Sequence, residues 1–124
     1  MERFASHCVF PAPDIQRTAR CCRDALGFRR VDHLDASEPH VCLYRDGAAF
    51  LLTDSRGRRV IPNRELTGYG GDAYVIVRDQ QALQNECEAK HVNIVQRLHR
   101  TDYHNREFVI EDIDGRWIRF GIRE

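Results

Sequence analysis

Six histidines, five cysteines and many arginines are the groups in this 124-residue chain with chemistry to offer. The cysteines, Cys8, Cys21, Cys22, Cys42 and Cys87, are odd in number and show no Cys-x-x-Cys spacing, so they read as reduced thiols rather than a disulfide framework or a zinc ribbon. Cys21 and Cys22 are adjacent on a predicted helix, where neighbouring side chains diverge by about 100° and do not chelate one ion. His40, His99 and His104 fall in or beside polar loops and are either solvated or line a ligand site. Arg56, Arg58 and Arg59 belong to a solvated loop or to an anion clamp, since a guanidinium presents a fixed fork to carboxylate or phosphate. No nucleophile elbow, phosphate-cradling glycine loop or carboxylate pair at catalytic spacing is present. Any site must therefore be assembled by the fold.

The bulk properties exclude several partners. Hydrophobic residues make up 42% of the chain and charged ones 31%, with a formal net charge of +0, so no strong field favours nucleic acid or an anionic membrane. No apolar run reaches bilayer length, and the first residues lack the apolar core of a signal peptide. The expectation is a soluble, cytoplasmic protein of one domain.

The elements repeat. Ser6 to Phe10 reads as a strand. Asp14 then caps a helix whose apolar positions Ile15, Thr18, Ala19, Cys22 and Leu26 recur at helical spacing before Gly27 ends it. Phe28 to Val31 is a second strand, and Val41 to Tyr44 with Ala48 to Thr53 form a hairpin turned at Asp46-Gly47. Residues 54–71, rich in Gly, Arg, Pro and Asn, read as a linker or flap. The pattern then returns: Ala73 to Val77 as strand, Asp79 to Lys90 as helix, Val92 to Val95 as strand, a polar loop with His99, Tyr103 and His104, and a hairpin from Glu107 to Ile122 turned at Asp112-Ile113-Asp114-Gly115. The fold class is α+β, two tandem βαβββ modules over about 5–53 and 72–122, related by a pseudo-two-fold axis. Helices lie outside and curved mixed sheets form a cleft, because one helix covers only one face of each sheet.

Asp14-Ile15 opening a helix that closes on Leu26-Gly27-Phe28, and Glu111-Asp112-Ile113-Asp114-Gly115 ahead of the last strand, resemble the vicinal oxygen chelate superfamily of glyoxalases, extradiol dioxygenases and bleomycin resistance proteins. The stretches 41–47 and 106–112 most resemble the bleomycin resistance branch. In metal-dependent relatives, positions similar to His7, Leu51, Asp72 and Arg119 supply the ligands. His7 and Asp72 each lie seven residues before the capping Asp14 and Asp79; Leu51 and Arg119 each lie four after Gly47 and Gly115.

This quartet suits a cation poorly. Leu51 has no donor atom and Arg119 is a permanent cation, so neither metal nor cofactor is expected there. Asp72 and Arg119 are expected to satisfy each other. Tyr74 and Trp117 share strand parity with that pair and should face the cleft, giving an aromatic-lined site for an organic ligand. The ligand-binding set is then His7, Leu51, Asp72, Tyr74, Trp117 and Arg119, and no catalytic residue is assigned.

The resemblance implies a homodimer that sequesters an antibiotic or another small organic molecule. The alternative is a lyase, isomerase or dioxygenase, using a metal around His7 and Asp72, or His7 as base with Arg119 holding an anion. Two departures weigh against bleomycin itself: Cys21-Cys22 occupy a helix position usually held by an aromatic pair, and the chain is neutral where a cationic ligand favours an acidic protein.

Overall fold

The computed structural model describes residues 2–124. The chain forms two compact units, the first ending at Val60 and the second spanning Ile61–Glu124.

In the first unit, strand β1 (Cys8–Ala12) leads into helix α1 (Ile15–Leu26), followed by β2 (Arg29–His33), β3 (His40–Arg45) and β4 (Ala48–Asp54). The Asp14 carboxylate accepts a hydrogen bond from Arg17 N at 3.1 Å, satisfying one orphan amide of the first turn. At the other end Gly27 takes a left-handed conformation, φ 71°, and the Phe28 amide returns to Cys22 O. Arg45 Nη1 donates to Leu26 O at 2.7 Å and finishes the helix. The buried stripe is Thr18, Ala19, Cys22 and Leu26.

The sheet order is β1-β4-β3-β2, with β1 and β4 parallel and the other pairs antiparallel. Alternation sends Phe10, Val41, Leu43, Phe50 and Leu52 into the core, where Phe50 packs on Phe10 and Phe28 with ring centroids 4.9 and 4.8 Å apart. The opposite face carries Val9, His40, Cys42 and Leu51.

The second unit repeats this plan. Helix α2 (Asn63–Thr67) is followed by β5 (Ala73–Ile76), α3 (Gln80–Ala89), β6 (Asn93–Arg100), β7 (Asn105–Glu111) and β8 (Trp117–Arg123). Asp79 caps α3 by accepting Ala82 N at 3.0 Å. The sheet order is β5-β8-β7-β6, β5 and β8 being parallel. Phe108, Ile110, Ile118 and Phe120 fill the core, and the Phe108 and Phe120 rings stack at 5.3 Å.

Three elements depart from the sequence reading. The stretch 54–71 contains α2, whose first amide is held by the distant Asp72 carboxylate, a cap with no local signature. Strand β6 runs on through His99 to Arg100, where a polar loop was expected; two register shifts against β7 blur its alternation. His7 lies one residue ahead of β1 rather than inside it, and is exposed. Among the described residues no helix is long and apolar enough to cross a membrane.

Candidate ligand-binding face

The β-sheet of the second unit presents Tyr74, Asn105, Glu107, Trp117 and Arg119 on the face opposite its core residues. Glu107 is fully buried, and a buried carboxylate requires partners. It finds two. Tyr103 Oη donates to Glu107 Oε1 at 2.5 Å, and Arg119 Nη1 donates to the same oxygen at 3.2 Å. Arg119 Nη1 also donates to Tyr103 Oη at 3.0 Å, closing a triangle of carboxylate, phenol and guanidinium.

Next to the triangle, Asn105 Nδ2 donates to Tyr74 Oη at 2.9 Å, so Tyr74 reaches from β5 across β8 to β7. Gly121 makes that crossing possible. A Cβ there would lie 2.5 Å from Glu107 Cβ, 2.6 Å from Tyr74 Oη and 2.7 Å from Arg106 O. Burial, reinforced by the neighbouring Glu107 carboxylate, pushes the Tyr74 phenol up to about 12. Burial and Glu107 also raise Tyr103. Both phenols therefore remain hydrogen-bond donors at neutral pH.

Two polar atoms of this cluster, Glu107 Oε2 and Arg119 Nε, are buried without a hydrogen-bond partner. One is an acceptor and the other a donor.

The far end of the same face is built around Trp117. Its indole Nε1 donates to Glu111 Oε1 at 3.1 Å, and the Arg64 guanidinium covers its ring 4.4 Å from the centroid. Arg64 also reaches Gly115 O and Glu111. Behind it the turn 112–115 is set by Arg116, whose buried guanidinium pairs with Asp112 and Asp114 at 2.9 and 3.1 Å. Desolvation nevertheless holds the Asp112 carboxyl above the ordinary aspartate range, against the pull of Arg116.

The expected pairing of Asp72 with Arg119 is overturned. Asp72 Oδ1 accepts Asn63 N at 2.9 Å and Oδ2 accepts Trp117 N at 3.0 Å, while Arg119 turns to Glu107. Asp72 lies just ahead of β5, within reach of the Asn63 and Trp117 amides, and backbone N–H groups take both of its oxygens. Tyr74, Trp117 and Arg119 share the face that strand parity predicts. Sequence reasoning missed Glu107, Tyr103, Asn105 and Arg64. Glu107 opens the apolar run Phe108-Val109-Ile110, which masks the period-two signal that would have drawn notice to it.

In the first unit Leu51 lies in β4 and pairs with Cys42, while His7 precedes β1. His40, expected in or beside a loop, is the first residue of β3.

Apart from the added α2, both units thus have the same order of elements, the same mixed topology and an Asp-capped helix. Residues 5–120 match the sequence profile of the Glyoxalase/Bleomycin resistance protein/Dioxygenase superfamily. The chain belongs to that superfamily. Solved structures of low sequence identity share the fold. TioX from Micromonospora sp. ML1 is 20% identical, with a TM-score of 0.71 over 97% of this chain and all of that one. The virulence protein STM3117 from Salmonella typhimurium is 19% identical, with a TM-score of 0.68 over 100% of this chain and 98% of its own. A glyoxalase-related enzyme from Clostridium phytofermentans is 15% identical, with a TM-score of 0.74 over 98% and 95%. No curated protein matches the chain significantly.

Metal-dependent members of such a family need three or four donor side chains. Leu51 and Arg119 lack a lone pair for a cation, and both Asp72 oxygens are already engaged by backbone amides.

Proposed function

We propose that this superfamily member binds a small organic molecule and sequesters it without the aid of a metal ion. The observation that carries this reading is the Glu107–Arg119 ion pair set on one sheet face with Tyr74 and Trp117 and bonded to Tyr103. Aromatic walls with a few fixed polar tips suit a planar ligand that offers both a donor and an acceptor. The resemblance to the bleomycin resistance branch supports antibiotics as the first candidates to try. A homodimer and a cytoplasmic location belong to the same proposal; the absence of any disulfide among the five cysteines agrees with a reducing compartment.

A second reading has its own support. Glu107 and Arg119 lie on one sheet face within reach of each other, so Glu107 would serve as base in a lyase or isomerase, with Arg119 facing a developing anion.

A thermal-shift screen across glycopeptide antibiotics, thiol conjugates and catechols decides between them. Sequestration predicts a melting temperature that rises with the logarithm of ligand concentration, with no product formed, and a response lost in Glu107→Gln. Turnover of a thiol adduct or catechol would install the second reading. Stoichiometric metal that leaves on His7→Ala would defeat the first outright.

A further inference from the structure

We propose that His33, His40 and Cys42 form a binding site for one zinc-class transition-metal cation on the sheet of the first unit. It shares no member with the family quartet and does not depend on the function proposed above. His33 and His40 are direct partners across the β2–β3 pair, and Cys42 lies two residues beyond His40 on the same face. Their ligand atoms all lie within 4.8 Å of one another. Around tetrahedral zinc, with bonds of about 2.0–2.3 Å, ligand atoms stand roughly 3.5 Å apart, so closure needs a shift of only about 1 Å. Side-chain rotation of the exposed His33 is enough to supply it.

A second observation makes His40 ready to coordinate. Its Nδ1 lies 2.7 Å from Glu38 O, and a carbonyl can only accept, so Nδ1 carries the proton. Nε2 is left with its lone pair, on a ring fixed in orientation by the same bond, the arrangement that outer partners impose on metal-binding histidines. The His33 and His40 rings stack with centroids 4.8 Å apart at 23°. Cys42 and His40 are both half-buried, which shields a bound ion while one side stays open.

Two imidazoles and a thiolate are borderline-to-soft donors. They select zinc and its late first-row neighbours and offer nothing to magnesium or calcium, which require oxygen. Three protein donors leave a fourth position for water or an exogenous ligand. Binding displaces the thiol proton to solvent, and no redox step is involved.

The test titrates reduced, tag-free, chelator-stripped protein with Co2+. The expected result is one equivalent bound, with a thiolate-to-cobalt charge-transfer absorption that Zn2+ abolishes by displacement. Cys42→Ser should remove that absorption, and Cys8→Ser, altering a thiol on another strand, should keep it. His33→Ala should weaken Co2+ affinity at least about 10-fold, since loss of even a supporting partner costs that much. Because His33 is exposed, this variant retains the fold and decides the matter even should Cys42→Ser fail to fold. No charge-transfer band in the parent protein, a band that survives Cys42→Ser, or unchanged affinity in His33→Ala would overturn the proposal.

Discussion

The two sheets have matching registers but opposite chemistry. Leu51 pairs with Cys42 in one, and Arg119 pairs with Val109 in the other. Two positions on, Thr53 faces His40 and Gly121 faces Glu107; across the next strand lie His33 and His99. One lattice of backbone positions thus carries two imidazoles and a thiol in the first unit, and an imidazole, a carboxylate and a guanidinium in the second. A duplicated module fixes where side chains stand and leaves open what they are.

The sharpest way to break the comparison is to remove the cation from the second sheet. Arg119→Met leaves the buried Glu107 carboxylate without its counter-charge and should cost about 3 kcal/mol in urea denaturation, against less than about 1 kcal/mol for Leu51→Met at the matching position. Replacing both partners, Glu107→Leu with Arg119→Met, should recover most of that loss, because the uncompensated charge disappears. A double variant as unstable as Arg119→Met alone would show that the pair is not the reason.

A smaller effect is expected one step along. Gly121→Ala places a methyl against a carbonyl oxygen and the Tyr74 hydroxyl and should cost about 1–3 kcal/mol, whereas Thr53→Ala at the matching position should stay within about 0.5 kcal/mol. Equal melting temperatures for the two variants would remove Gly121 as the opening through which Tyr74 crosses β8.

The mildest test is spectroscopic. Tyr74 should ionise at about 12, later than an ordinary phenol at 10.0, and this phase should vanish from the phenolate absorbance titration of Tyr74→Phe. The folded value is raised, so its contribution to stability is complete below pH about 10 and is lost as pH climbs towards about 12. A titration in which Tyr74→Phe removes only an ordinary phase would sever Tyr74 from the Glu107 cluster.

Much of the fold was legible in the sequence because it rests on local chemistry. Asp14, Gly27 and Asp79 act at helix ends through bonds spanning three to six residues. Strand parity placed Tyr74, Trp117 and Arg119 on one face, since period two needs no knowledge of neighbours. What escaped notice depends on pairing between strands. His33 and His40 meet only through the β2–β3 register, and Glu107 acquires meaning only when Arg119 and Tyr103 arrive from elsewhere in the chain. The helix α2 was hidden because Asp72, nine residues from Asn63, supplies its cap.

The indole at position 117 is the single tryptophan of the chain. A guanidinium lies over its ring, a carboxylate accepts from its nitrogen, and its own amide is fastened to Asp72. Any guest that loosened one of these three restraints would change the emission of a solitary fluorophore, so the molecule carries its own optical gauge of events on that side of the sheet.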